Sequence, residues 1–293
     1  MGALFGAGNA LLGLAAAALW GVGDFSGGMG VKTAGGGVGA ALRVVLLSHI
    51  TSFSILLVIL FVRGDAVPSG HFFIWGIAAG IAGGLSLTAF YVAISRGAMG
   101  AAAAVSGLLA AAIPAIAAML LEGTPGWRKG VGFLVAGVAI WMIAAGPSED
   151  KAQNSVQPST MWLAVAAGAG FGFYFVALKY AGGAGPVWPM AMARMGSIST
   201  CGLILLALRG AGAVRITRRV VAWVLSTALF DTSGNLLFVA ATRAGRLDVA
   251  AVLASLYPAS TILLAAWMLK ERPTKRQGWG MVVAAGAVVL IAG

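Results

Sequence analysis

The chain has 293 residues, of which 60% are hydrophobic and only 9% charged, with a formal net charge of +11. A soluble domain carries roughly 25% charged residues, so this composition excludes an ordinary water-soluble fold and points to a polytopic helical membrane protein. The single cysteine, Cys201, and two histidines exclude a disulfide framework and leave no ligand set for a metal.

Long uncharged runs separated by short polar turns predict ten spans: about 8–28, 38–62, 72–95, 100–121, 128–146, 160–181, 187–208, 219–242, 248–269 and 276–292. The first run is apolar from its start and has no basic region before it, which reads as a span rather than a cleaved leader. The longest polar stretch, 147–159, has the composition of a linker. It divides the chain into five-span units at 1–146 and 160–293. In the ninth span Pro258 is interior, where a proline removes a hydrogen bond and kinks the helix; Pro114 is the interior proline of the fourth. The basic residues lie in the turns, where positive-inside topology and lipid headgroups account for them without nucleic acid. More of them follow odd-numbered spans than even-numbered ones, yet an inverted arrangement of halves weakens that signal, so the orientation of the termini stays open.

The halves resemble each other. Tyr91-Val92-Ala93-Ile94-Ser95-Arg96 recurs as Phe238-Val239-Ala240-Ala241-Thr242-Arg243. Pro125, Gly130 and Gly132 recur as Pro273, Gly278 and Gly280, residues 14–23 align with 163–172, and Arg43 aligns with Arg194. Five spans per unit is odd, so a duplicated second unit enters the membrane from the opposite side. That is the inverted repeat of secondary transporters, with substrate held near the midplane between repeats.

Trp20-Gly21 in the first span, Leu256-Tyr257-Pro258 in a helix ending Lys270-Glu271-Arg272, and the following Gln277-Gly278 resemble the drug/metabolite transporter superfamily, EamA type. The second half carries the likeness best. In the first half the charged turn is replaced by Glu122-Gly123-Thr124-Pro125-Gly126-Trp127, and Pro114 is not in the register of Pro258. The resemblance implies ten helices, inverted repeats, a central cavity and export of small metabolites without ATP. Within the superfamily the chain is similar to bacterial aromatic amino-acid exporters of the YddG type.

Charges inside a span are costly and mark candidate pathways. Asp24, Arg43, His49, Arg194 and Asp231 are such residues, with Asn235 one turn from Asp231 on the same helix face. Arg43 and Arg194 lie early in their spans and have a second reading as headgroup or loop-carbonyl partners. Asp24 has one as partner of Lys32 or an arginine, Asp231 as partner of Arg43 or Arg194, and His49 as a packing histidine. Trp20, Tyr91, Phe238 and Tyr257 are the aromatic candidates for a substrate wall, although packing alone explains any single ring. Ser255 and Asn235 are candidates to hold a polar end. The candidate substrate-binding set is therefore Trp20, Asp24, Tyr91, Asp231, Asn235, Phe238, Ser255 and Tyr257. His49, Arg43 and Arg194 are pathway or coupling candidates.

These features imply a non-enzymatic secondary transporter in the cell's inner (plasma) membrane, needing no cofactor. Its partners would be lipid and a small-molecule substrate, amino acids including aromatic ones first. The alternatives are another solute (drugs, polyamines or nucleotide-sugars) and a membrane lipid enzyme, for which the acidic or histidine cluster is missing. The sequence leaves oligomeric state open and is compatible with a monomer. It also leaves open the exact substrate, the direction of transport and any ion coupling.

Overall fold

The computed structural model describes residues 2–68, 70–95, 99–144, 158–209, 216–268, 270 and 273–292. The linker at 147–157 and the turn residues Arg96, Glu271 and Arg272 lie outside the described residues.

The described chain is helical throughout. Its helices are α1 (Gly2–Thr33), α2 (Gly37–Arg63), α3 (His71–Ser95), α4 (Met99–Glu122), α5 (Trp127–Ala144), α6 (Pro158–Ala181), α7 (Trp188–Ala207), α8 (Arg218–Ala244), α9 (Leu247–Ala254), α10 (Tyr257–Met268) and α11 (Lys275–Ala292). Among the described residues eight spans are long and apolar enough to cross a bilayer, with α9 and α10 together forming one. The two 18-residue helices α5 and α11 carry a basic pair at their starts, Arg128-Lys129 and Lys275-Arg276, and pack on each other. Large apolar side chains such as Phe61, Leu120, Leu134, Leu206 and Trp267 face outward. That surface suits lipid and would be a liability in water. Trp127, Trp162 and Trp279 are exposed near helix starts, the position of interfacial anchors.

Helix 9 departs from the expectation of an interior kink. The chain breaks at Ser255 and Leu256, and Pro258 is the second residue of α10. At the start of a helix a proline sacrifices no intrahelical bond and its fixed φ favours the first turn, so the break falls before the ring rather than around it. Pro114, by contrast, remains inside a continuous α4. His71, by its position a loop residue, opens α3 with its ring 4.0 Å from that of Phe72.

Helices approach through small residues. On α3, Gly76, Gly80 and Gly84 recur every four positions and face α7. A methyl group on Gly80 would lie 1.9 Å from the Ala193 carbonyl oxygen, and one on Gly196 would lie 2.4 Å from the Ile77 carbonyl oxygen. Lipid gives no hydrophobic drive for helix association, so such backbone-to-backbone fits supply dispersion contact directly. α1 lies along α8 and along the α9–α10 pair, α6 along α3 and α4, and α2 along α7. These contacts surround a cavity lined from both halves of the chain.

Candidate functional site

The cavity has a volume of about 70 Å³. Trp20 and Asp24 of α1, His49 of α2, Arg194 of α7, Asp231 and Asn235 of α8 and Tyr257 of α10, all candidates from the sequence, line it. So do Phe171, Tyr174 and Phe175 of α6, Ser197 of α7 and the glycine face of α3. In the sequence Phe171 and Tyr174 stand among the aromatic residues of the spans, for which packing is the default, and neither Phe175 nor the α3 glycines are singled out. The four-residue spacing of Gly76, Gly80 and Gly84 was the available signal.

The polar residues form a connected network. Arg194, only 4% exposed, pairs with Asp231 and donates from Nε to Ser52 Oγ at 2.9 Å. Ser52 and Thr232 share a hydroxyl bond of 2.5 Å. Asn235 donates from Nδ2 to Asp231 Oδ1 at 3.1 Å and to the Asp231 carbonyl at 2.7 Å, while its Oδ1 accepts from Tyr174 at 2.5 Å. His49 Nδ1 lies 2.6 Å from Ser197 Oγ. A buried ion pair is stable only when its remaining lone pairs and protons are also bonded, and this network does that for Asp231 and Arg194.

Asn235, expected to hold a polar end of the substrate, thus has both ends of its amide occupied. Ser255 is fully buried at the α9–α10 break and outside the lining; among the described residues its hydroxyl has no partner. Arg43 also lies outside the lining and donates to the Gly39 carbonyl at 3.3 Å. Asp24 pairs with neither Lys32 nor an arginine among the described residues; it faces the cavity beside Asp231.

The aromatic candidates divide. Trp20 stacks on Phe175 at 5.2 Å between centroids and meets Phe238 at 5.6 Å, so one of its faces is already covered. Phe238 is wholly buried behind it, 4.7 Å from Phe175, and Tyr91 is buried with its hydroxyl against Gly27. Neither lines the cavity. Tyr257 does, and its hydroxyl bonds Ser106 of α4.

A second polar cluster closes one end of the bundle. Glu122 at the end of α4 meets Lys179 of α6 at 3.4 Å and accepts the Leu247 N–H at 3.3 Å. Arg246 donates to Asp248 at 2.7 Å and to the Gly123 carbonyl at 2.6 Å, and the Asp248 hydrogen bond raises its guanidinium above the ordinary range. Asn9 of α1 donates to the Arg246 carbonyl at 3.1 Å.

Fold and cavity together define a multi-span helical membrane protein with a polar, aromatic-walled chamber. Residues 158–293 match the EamA-like transporter family, in agreement with the resemblance to the drug/metabolite transporter superfamily. That family is one of transporters. A crystal structure of another protein matches with a TM-score of 0.75 at 15% identity, covering 96% of this chain and 95% of the other; at that identity the likeness establishes the fold alone. No curated protein matches the chain.

Proposed function

We propose that the protein is a secondary transporter that exports small amphipathic metabolites, amino acids including aromatic ones among them, across the plasma membrane by alternating access. The observation that carries this reading is the position of the cavity. Its wall comes from α1, α2, α3 and α4 of the first half and from α6, α7, α8 and α10 of the second, so relative motion of the halves would open it. Its present volume is far below the ~300–1,000 Å³ of small-molecule sites, so a solute would enter as helices separate.

In this reading ten helices cross the membrane, α9–α10 counting as one, in inverted repeats 1–146 and 160–293. Packing supports the repeat by exchange of partners. α1 lies on α8 and on α9–α10; α6 lies on α3 and on α4. A methyl on Gly132 would meet Ile291 Cγ1 at 2.7 Å, and one on Gly280 would meet Ile143 Cγ1 at 2.8 Å, two contacts related by the same offset. The glycine pairs argue similarly. Gly21 abuts α10 and Gly23 abuts α8, while Gly168 abuts α4 and Gly170 abuts α3. This register is two residues away from the alignment of 14–23 with 163–172.

Trp20, Asp24, Asp231 and Tyr257 would meet the substrate, with Asn235, Tyr91 and Phe238 supporting them and His49 and Arg194 on the pathway. The test is uptake of labelled aromatic and aliphatic amino acids by the purified protein in liposomes. Tyr257→Ala is expected to weaken apparent affinity for the aromatic solute roughly two- to twelvefold, from ~0.5–1.5 kcal/mol per aromatic contact. A folded Tyr257→Ala that transports both solutes like the parent, or a parent that accumulates no solute, would overturn the reading.

A further inference from the structure

The polar groups around the cavity are engaged with one another, with one exception. Asp231 uses both carboxylate oxygens, on Arg194 and on Asn235, and Arg194 adds Ser52. Asn235 is completed by Tyr174, and His49 turns Nδ1 to Ser197. Asp24, half-buried one helical turn beyond Trp20, lines the same cavity and makes no hydrogen bond or ion pair among the described residues. Since Arg194 is balanced by Asp231, the lining holds one carboxylate with no counter-charge. At this depth such a group is costly until a cation meets it.

The neighbouring wall is flat and apolar, built from Trp20, Phe171, Phe175 and Tyr257. A carboxylate beside aromatic faces is the chemistry that recognises an organic ammonium. An inorganic cation is poorly served, because it needs several oxygen ligands. Among the described residues no group of three His, Cys, Asp or Glu could hold one.

We propose that Asp24 is the specificity-determining residue, receiving the ammonium group of an amine whose apolar body lies on the aromatic wall, and that a monoamine is favoured over the amino acid with the same side chain. This deepens the transporter reading and rests on it. The amino acid brings a carboxylate whose natural partner, Arg194, is already held by Asp231 and Ser52. The zwitterion must therefore break that pair or leave its carboxylate unmatched, and the amine meets neither cost.

The experiment measures binding of tryptamine, tryptophan, phenethylamine and phenylalanine to the full-length protein in lipid nanodiscs, by calorimetry. The parent should bind each amine about tenfold or more tightly than its amino acid, the scale of a hydrogen bond to a charged group. Asp24→Asn should lose about tenfold or more for the amines and change little for the amino acids, while Asp24→Glu keeps the preference. Thermal unfolding of both variants is read in parallel; should Asp24→Asn fail to fold, the parent panel and Asp24→Glu decide. Equal or tighter binding of the amino acids, unchanged amine affinity in Asp24→Asn, or no amine binding at all overturns the proposal. Liposome uptake separates the two readings. Amines that bind without crossing would refute transport and leave the ligand class standing, whereas transport of tryptophan without tryptamine would refute the ligand class alone.

Discussion

Breaking the Arg194–Asp231 pair from either side should cost far more than removing it whole. Arg194 is 4% exposed and Asp231 23% exposed, and they belong to the adjacent helices α7 and α8. Arg194→Met leaves a carboxylate whose remaining bond is to Asn235, and Asp231→Leu leaves a guanidinium whose remaining bond is to Ser52. Losing one member of a buried pair typically costs about 3–5 kcal/mol, because the survivor is stranded. Asp231 keeps some access to the cavity, so Arg194→Met should fall near ~3 kcal/mol. Arg194 has almost none, so Asp231→Leu should approach ~5 kcal/mol. The double variant strands no charge and should cost at least about 2 kcal/mol less than the sum of the singles, within the range of coupled neighbours. The protein supplies its own probe. Cys201 is the chain's one cysteine and is fully buried, so a thiol-reactive fluorogenic dye reports unfolding as the sulfur is exposed. Additive losses in the double variant, or an unshifted melting curve for Arg194→Met, would refute the reasoning.

The same assay checks two further expectations. Gly80→Ala forces a methyl into the Ala193 carbonyl and should cost about 1–3 kcal/mol, whereas Gly28→Ala, with nothing within 4 Å, should be neutral or gain up to ~1 kcal/mol in helix propensity; equal effects at the two positions would count against the close fit of α3 on α7. Tyr174→Phe removes the donor to Asn235 Oδ1 and should cost about 1–3 kcal/mol for the acceptor left unpaired, with a parental melting temperature as the contrary result.

Much of the scaffold was legible because charge and hydropathy alternate so sharply. Charged residues bracket most of the apolar runs, and helix ends fall at or near them at Arg63, Glu122 and Arg218. The break in helix 9 was only half legible. Pro258 marks the place, but whether a helix bends around a proline or restarts just before it depends on packing, here of Tyr257 and Ser260 against Gly21. The site was legible as a list of costly residues and illegible as a set of bonds. Arg43 and Arg194 align in the repeat and look equivalent in one dimension, yet Arg194 lines the cavity and pairs with Asp231, while Arg43 lies outside the lining and donates to a carbonyl of its own helix. Tyr174 was hidden for a related reason. Between Phe171 and Phe175 it reads as one more packing ring, and only the approach of Asn235 turns its hydroxyl into a network member.

The distribution of those bonds bears on how the proposed halves could move. The buried charges, Arg194 and Asp231, sit on two helices of the same half, as do the Tyr174 and Asn235 that complete them. Around the cavity the side-chain bonds between halves end on hydroxyls, a histidine or backbone carbonyls of the first half: Ser52 with Thr232 and Arg194, Ser26 with Ser226 at 2.8 Å, His49 with Ser197, and Thr227 and Thr261 on the Gly23 and Gly21 carbonyls. Apart from the Arg194–Ser52 bond, which is charge-assisted and contributes about 1.5–3 kcal/mol, these are neutral hydrogen bonds of about 0.5–1.5 kcal/mol each, and a cavity that admits water can replace them. A buried ion pair cannot be parted so cheaply. The ionic contact between halves, Glu122 with Lys179, lies at the bundle end with both side chains a quarter to a third exposed, where water screens it. Rocking of one half against the other would therefore exchange hydroxyl bonds around the cavity and a screened ion pair at the rim, and would carry the Arg194–Asp231 pair along intact.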